Sequence, residues 1–596
     1  MTRTPRALLV CGLVLGLSPA PIESAEVVVN APGADAALRE SLRAASLAAS
    51  AVDEDVTDGQ ELLAAAQGDY RRLVAALYEA GHFGGEVSIR VDGREAATMS
   101  VLRAVPVINR IELNVSPGPQ FRFREAQVAP LPPGTVLNDD FAVGEVATTP
   151  AMRGAAEDGV DAWREVGHAK AAVTGQQITA NHNENTVAAR IALGPGPKLS
   201  FGRTLLTEGS ARSTVRPERI VEIAGVPEGE TFSPSDIANA ERRLRRTGAF
   251  RSAVVEEAEE IGPNATLDTY IDVEDARPRR VGAGIEISNI EGLGLSAFWM
   301  HRNFLGGAER FRVDGEVNGI GGDTGGIDYK LTTSLTRPAF LHPDMDLRFG
   351  INLESKDEPS YTSDLFEATV GLQRFVTEDV TASLDFGIRA SKSTDAFGTR
   401  DFRHVTLEGG LEWDKRKDEL NPTKGFYADV TAMPFIGFSG SDSGVRVTGD
   451  LRGYTELGSD RFVLAGRVQV GSVSGPGLSR TPPEYLFFSG GGGTVRGQDY
   501  QSLGGTTVNG RTVGGQSFLG LSTELRARIT DSIGVVGFVD YGMVSVEPTF
   551  QDGNWHGGAG IGARYYTPIG PVRLDVAVPT TGESGFGVYV GIGQTF

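Results

Sequence analysis

The chain has 596 residues, a formal net charge of −21, and 78 glycines against a hydrophobic fraction of 40%. Beyond its first residues no apolar run approaches the roughly 20 that a membrane-spanning helix needs; this excludes a helical membrane protein but leaves open a wall of alternating strands, which is polar on average. The acidic balance argues against a nucleic-acid partner, whose phosphates must be met by Lys and Arg.

Residues 1–25 read as a secretory signal peptide, with Arg3 and Arg6 ahead of the apolar stretch Ala7 to Leu17 and small residues at Ala20 and Ala25. The single cysteine, Cys11, falls inside this segment, so the exported chain is expected to have no disulfide, thiolate metal site or cysteine nucleophile.

From residue 26 to about 276 a unit repeats. Pro117-Gly118-Pro119 with Phe123 recurs as Pro195-Gly196-Pro197 with Phe201, each copy ending one strand and opening the next. A helix that stops at glycine and runs into a strand occurs three times, at Leu77 to Gly81, Trp163 to Gly167 and Leu244 to Gly248. In the third copy Ser233 can cap a helix with Pro234 in its first turn, and Ile237, Ala240 and Leu244 share one face. A shorter helix, Pro217 to Ala224, precedes it, and strands near Ala249 to Glu256 and Ala265 to Val273 follow. The order predicted for each copy is strand, helix, helix, strand, strand. His82 and His168 stand at equivalent places after the module glycines, and their recurrence reads as structural.

This order resembles the POTRA (polypeptide-transport-associated) domain of the Omp85 family, with modules over 26–118, 119–197 and 198–276. Such a module presents an exposed sheet edge that can accept another chain as an added strand. The competing reading is a rigid spacer.

From about Arg280 to Phe596 helical periodicity gives way to short alternating segments separated by Gly, Asp, Asn and Pro. Val572, Leu574, Val576 and Val578 fall opposite Arg573, Asp575 and Ala577; Val535, Val539, Tyr541 and Met543 fall opposite Val536, Phe538 and Asp540. Residues 280–596 accommodate about sixteen membrane strands of roughly ten residues each with their turns and loops. The predicted fold class is therefore α+β modules followed by an all-β transmembrane barrel of about sixteen antiparallel strands. A soluble β-sandwich is the competitor.

Inside this region, Gly490 to Gly493 lead into Thr494, Val495, Arg496, Gly497, Gln498, Asp499, Tyr500, Gln501 and Ser502. The stretch resembles the Val-Arg-Gly-aromatic motif of Omp85 barrels, carried on an extracellular loop folded back into the lumen, and its Tyr-Gln-Ser ending most resembles the TamA branch. Gln498 departs from the family's Phe or Tyr. Arg496 supplies a permanent charge able to pair bidentately with a wall carboxylate. The partner expected is Asp540 in Phe538-Val539-Asp540-Tyr541-Gly542, which matches the family's Phe-x-Asp-x-Gly strand and alternates toward the lumen.

Other stretches resemble the family in the same order along the chain: Asn303 to Glu309, Asp414-Lys415-Arg416 with Asn421 to Gly425, and Tyr566 to Asp575. In the last strand Phe586, Val588, Val590, Ile592 and Phe596 take alternate positions, and the terminal Phe596 resembles the signal by which outer-membrane barrels are recognised for assembly; Gln594 interrupts the stripe. Gly587, Gly591 and Gly593 lie on the other face. Closure against Val281 to Ile287, which holds Gly282, Gly284 and Ile285, predicts a weak seam working as a lateral gate, with a permanently closed seam as the alternative.

No chemistry of catalysis stands out. The sequence has no His-Glu-x-x-His, no Gly-x-Ser-x-Gly elbow and no P-loop Lys-Ser/Thr after the glycine run, and Gly558, Gly560 and Gly562 lead into no helix. No cofactor or metal is expected. The resemblance implies an insertion or translocation factor for unfolded outer-membrane proteins, in contact with outer-membrane lipid and with an inner-membrane-anchored partner of the TamB type, including a role in autotransporter secretion. Three modules favour the TamA branch over a general BamA-like assembly protein, which usually has five, and over two-partner secretion transporters, which have two. A passive diffusion channel is the alternative from another class.

Overall fold

A computed structural model describes residues 25–100, 107–288, 292–322, 325–568, 570–582 and 585–596. The predicted signal segment, Cys11 included, lies outside the described residues except for Ala25.

The first module sheet contains β1 (Glu26–Asn30), β2 (Glu86–Val91), β3 (Arg94–Glu95) and β4 (Arg110–Ser116), in the order β1-β4-β2-β3 with β1 parallel to β4. Helices α1 (Ala36–Ala45), α2 (Leu47–Asp53) and α3 (Gly59–Glu79) pack Leu42, Leu63, Leu73 and Leu77 on Ile89, Ile111 and Leu113. The buried Asp69 accepts from the Ser46 hydroxyl and from the backbone N–H groups of Leu47 and Ala48, satisfying donors that the start of α2 leaves free.

The second sheet has the order β5-β7-β6, from β5 (Arg122–Ala129), β6 (Ala172–Asn181) and β7 (Thr186–Gly194), with one helix, α4 (Thr149–Glu165). The third comprises β8 (Ser200–Leu206), α5 (Pro217–Ala224), α6 (Pro234–Arg246), β9 (Phe250–Glu257) and β10 (Thr266–Asp275), in sheet order β8-β10-β9. The uniform two-helix pattern read from the sequence holds only for this third unit. The first has three helices. In the second, residues 130–147 carry Pro130, Pro132 and Pro133 and form no helix, because proline lacks the donor a helix interior needs.

The repeated corners are real features of the backbone. Gly81, Gly167 and Gly248 take φ of 84°, 104° and 69°, and the His82 and His168 Nδ1 atoms lie 3.0 and 2.9 Å from the carbonyls of Gly118 and Gly196. Each histidine thus ties a helix end to the Pro-Gly-Pro corner of its own module.

The C-terminal part begins with β11 (Arg279–Ser288), β12 (Gly292–His301), β13 (Arg310–Ile320), β14 (Asp328–Arg337), β15 (Met345–Asp357) and β16 (Thr362–Phe375). It continues with β17 (Val380–Asp395), β18 (Gly398–Asp414), β19 (Gly425–Gly437), β20 (Gly444–Leu457) and β21 (Ser459–Ser474). A long excursion then carries the small hairpin β22 (Thr506–Val508) and β23 (Arg511–Val513). The last strands are β24 (Ser517–Arg528), β25 (Ile533–Ser545), β26 (Asn554–Thr567), β27 (Gly570–Pro579) and β28 (Gly587–Ile592). Leaving out the small hairpin, the sixteen strands close into one antiparallel barrel.

Alternation explains how so polar a sequence builds a membrane wall. Val281, Ile285, Ile351, Phe386, Ile388, Leu411, Val535 and Leu574 point outward and are exposed, whereas Arg348 pairs with Asp385, and Arg452 and Arg467 share Asp450, on the inside. Trp299, Trp413, Phe462 and Tyr565 add exposed aromatic side chains near the rim from which β11 starts. Closure gives each of the sixteen strands a hydrogen-bonded neighbour on both sides, which is how a sheet meets lipid.

The third module is bound to that same rim. Arg243 donates 2.9 and 2.7 Å hydrogen bonds to both carboxylate oxygens of Asp344 in the β14–β15 turn and also caps α5 through the carbonyls of Ala224 and Gly225. Burial opposes the Asp344 charge, but the hydrogen bonds and charge of Arg243 outweigh it and hold the carboxyl below its usual range. Arg246 lies 3.6 Å from the centre of the Phe375 ring, and Arg242 pairs with Glu378 in the β16–β17 turn. Arg243→Ala is expected to weaken this attachment by roughly 3 kcal/mol, because it removes the bidentate partner of a half-buried carboxylate and leaves it Arg246 at 3.5 Å. Hydrogen exchange in α5 and α6 should rise by about two orders of magnitude, and unchanged exchange there would contradict the assignment.

Candidate functional site

The excursion between β21 and β24 leaves the rim opposite the one that binds α6 and folds back into the lumen. Its tip is Val495 to Gly497. The Arg496 side chain is 2% exposed and meets three wall carboxylates that are 0–1% exposed. Nε and Nη2 donate to the two oxygens of Asp540 at 2.7 and 3.0 Å, and the Arg496 backbone N–H reaches the same carboxylate at 3.2 Å. Nη1 lies 2.8 Å from Glu524 and 3.4 Å from Asp575, and the guanidinium sits 3.5 Å from the centre of the Phe538 ring. Arg526 pairs with Glu524, and Arg564 pairs with Asp575. Three carboxylates therefore face three guanidiniums in a dry setting where an unmatched charge is costly.

Two glycines make the approach feasible. Gly497 has φ of 92°, the left-handed region a turning tip requires, and a Cβ on Gly558 of β26 would stand 1.9 Å from the Arg496 carbonyl oxygen. Val495 is fully buried. Gln498, where the family has an aromatic residue, donates to the carbonyls of Gly557 at 2.7 Å and Thr581 at 2.8 Å. Hydrogen bonds to the wall stand where stacking was expected. The Asp499 side chain is exposed, and Tyr500 donates to Glu358, in the β15–β16 loop, at 3.3 Å.

Burial, followed by repulsion from Asp328, pushes the Glu358 carboxyl up to about 7. A carboxyl raised in the folded state contributes stability that is fully present below its ordinary 4.5 and is lost as pH rises through about 7. Glu358→Gln is therefore expected to increase protection of this loop by roughly 1–3 kcal/mol at pH 8 and to leave it little changed at pH 4. Loop hydrogen exchange measured at both pH values checks this; an equal gain at both would contradict it.

Near the tip the wall closes by very little. Among the described residues, β11 pairs with β12 over ten residues but with β28 over two, Ile287 with Val590 and Ser288 with Tyr589. Ile285 pairs with Leu295 of β12, and among the described residues Val281, Gly282 and Gly284 likewise pair with β12 and not with β28. Gly587 and Gly591 lie on β28 opposite Ala577 and Arg573 of β27. β28 is six residues long because the chain turns away after Ile592, so it runs out before it can register with the rest of β11.

The C-terminus follows a path the alternation did not foresee. Gly593, with φ of 93°, lies beyond β28, and the last residues leave the wall. Phe596 does not extend the outward stripe of Val588, Val590 and Ile592. It is 4% exposed and packs on Tyr454, Val463 and Ala465 on the inner faces of β20 and β21, with its backbone oxygen 2.8 Å from Arg526 Nη2. Gln594, the residue that breaks the stripe, bridges Asn421 at 2.9 Å and Arg564 at 2.8 Å. Thr595 accepts from Arg496 and Arg573 at 3.1 and 3.0 Å. The tail thus joins the loop network to the β18–β19 turn, eight strands round the barrel from β28.

Of the functional residues, Glu524, Asp575, Arg526, Arg564 and Asn421 had no site role assigned from the sequence. The available signal was lone charges at inward positions of otherwise apolar strands, as in Thr523-Glu524-Leu525-Arg526.

In the second module a separate hollow of about 730 Å³ opens between α4 and the edge strand β6, lined by Met152, Ala156, Val160, Val173 and Ile178 with Phe83. β6 has one paired neighbour in the sheet, so its other edge is free to accept a strand.

Similarity to known proteins matches these features. A crystal structure of BamA from Haemophilus ducreyi lacking POTRA domains 1–3 superimposes with a TM-score of 0.60 at 20% identity, over 79% of this chain and 99% of that one. CdiB from Acinetobacter baumannii gives a TM-score of 0.50 at 12% identity, over 80% and 90% of the two chains. At these identities the likeness is one of fold. Residues 303–596, running from the turn after β12 to the C-terminus, match the Omp85 superfamily domain.

Proposed function

We propose that the protein resides in the outer membrane of a diderm bacterium, holds its three POTRA-type modules in the periplasm, and assembles polypeptides into or across that membrane. The observation that carries this reading is that, among the described residues, β11 pairs with β28 at two positions in a wall whose other neighbours pair over six residues or more. A barrel has no use for an exposed edge unless something pairs with it, and an incoming β-strand supplies the missing hydrogen bonds as it leaves for lipid. The lumen is obstructed, since the pinned loop enters it and the C-terminal tail is tied across to the β18–β19 turn. That geometry weighs against a passive diffusion channel.

Delivery would begin at the free edge of β6, where an extended polypeptide adds a strand and places alternate apolar side chains over the hollow beside α4. Free energy would come from the substrate's own strand pairing and burial. In its finer form the proposal is a TamA-like factor, with an inner-membrane-anchored partner of the TamB type and autotransporters among its substrates; three modules and the Tyr500-Gln501-Ser502 ending support that branch. Removing the gene and comparing outer-membrane proteomes tests the reading. Loss of a subset of barrel proteins or autotransporters is expected, and an unchanged proteome would overturn it.

A further inference from the structure

The backbone ladder that closes the wall ends where a side-chain contact begins. Among the described residues, Ile287 pairs with Val590 and Ser288 with Tyr589, and one further step in the same antiparallel register sets Glu286 of β11 opposite Gly591 of β28. Gly591 in turn stands opposite Arg573 of β27, and Glu286 stands opposite Gly294 of β12. Arg573, Gly591, Glu286 and Gly294 therefore form one inward row across four strands, with two opposite charges spaced by a glycine.

The charges meet across the closing strand. Arg573 Nη2 donates to Glu286 Oε1 at 3.0 Å, and Nη1 donates to the Thr595 hydroxyl at 3.0 Å. A Cβ on Gly591 would stand 2.9 Å from Arg573 Nε, so the missing side chain lets the guanidinium lie over β28. On its other side Arg573 is the register partner of Arg564, whose guanidinium is taken by Asp575. Like charge on that side and opposite charge on this one turn Arg573 toward the seam. The pair sits at a hollow of about 490 Å³ paved by Gly284, Gly294 and Gly591. The other carboxylate lining it, Glu316 of β13, is paired with Lys330 at 3.8 Å.

We infer that Arg573 and Glu286 form a clasp that holds the seam shut from the inside, taking over where the backbone hydrogen bonds stop. The Glu286 side chain is 67% exposed, so its charge is rehydrated at little cost when the strands part. The same exposure limits the effect: such a pair shifts an equilibrium by up to about fivefold, and salt weakens it. Against the long ladders elsewhere in the wall that is negligible, but against two residue pairs it decides how often the strands separate. The clasp acts on the closed wall whether or not a substrate uses the seam.

The test is hydrogen exchange in the full chain in neutral detergent, at salt concentrations of about 0.05 and 0.5 M. In the unmodified protein, the cross-seam amides among Ile287, Ser288, Tyr589 and Val590 should exchange about threefold faster at the higher salt, while those between β17 and β18 stay unchanged. Glu286→Gln should give the fast rate at both salt concentrations, and Gly591→Ala should do the same by pushing the guanidinium aside. Glu286→Arg combined with Arg573→Glu should restore the slow rate at low salt together with its salt dependence. Seam exchange that ignores salt in the unmodified protein would overturn the inference. So would a Glu286→Gln protein whose seam responds to salt as the parent does. The salt series needs no substitution, so a misfolded variant leaves the decision intact. No substrate enters the measurement, so loss of the clasp and loss of the proposed assembly role are told apart.

Discussion

Arg496→Ala is expected to release the loop tip and to abolish most of the assembly activity. Among the described residues, the substitution leaves Asp540 without a cation and sets three buried carboxylates against two guanidiniums. Breaking such a buried pair costs about 3–5 kcal/mol, since the stranded charge must be protonated, hydrated or expelled. The excursion from residue 475 to 516 should become protease-sensitive in an otherwise folded barrel, and single-channel conductance should rise as the lumen opens. Arg496→Lys should recover little, because an ammonium cannot span both oxygens of Asp540 while also reaching Glu524. Removing Asp540 as well should restore part of the loss, since the two residues form one unit and their effects are not additive. Unchanged protease protection in Arg496→Ala would contradict the anchoring role.

The second large effect concerns the tail. Phe596→Ala removes a ring packed on Tyr454, Val463 and Ala465, a truncation that typically costs about 3–5 kcal/mol in a core. The consequence should be felt away from the cavity, because Gln594 and Thr595 hold the β18–β19 turn and the loop network only while the chain end is docked. Carboxypeptidase should then digest the C-terminus of the folded protein, and amide exchange of Val588 to Val590 should accelerate as β28 loses its anchor. Gln594→Ala, which removes hydrogen bonds but little packing, should show the same pattern more weakly. A tail that stays protected in Phe596→Ala would mean that the seam, and not the lumen contact, fixes it.

The sequence was most legible where one interaction dominates. Strand alternation gives the wall, since every second side chain meets lipid, and the ion pair between Arg496 and Asp540 could be anticipated because a permanent charge on a glycine-flanked tip requires a carboxylate at an inward position. Sequence reading was weakest where several long-range contacts compete. Gln594 looked like a flaw in an apolar stripe, yet it hydrogen-bonds Asn421, a residue 173 positions earlier, and no local period encodes that. The register at the seam is equally hidden from local pattern, because the departure of the chain at Gly593 sets where β28 stops. No local pattern separates a solvated basic helix end from one bound to the barrel rim, and in the run Arg242, Arg243, Arg245 and Arg246 it is Arg243 and Arg246 that are mostly buried against the barrel. Helix number in the modules followed proline placement more closely than the repeat did.

The seam is the centre of this account, and a reversible lock at its one registered apolar pair examines it directly. With cysteines replacing Ile287 and Val590, which face each other across β11 and β28, oxidation should join the strands and stop assembly of a β-barrel substrate in reconstituted vesicles. Reductant should then restore it, with the barrel folded throughout. Full assembly activity with the cross-link shown intact by mass spectrometry would contradict the claim that substrates leave through this edge.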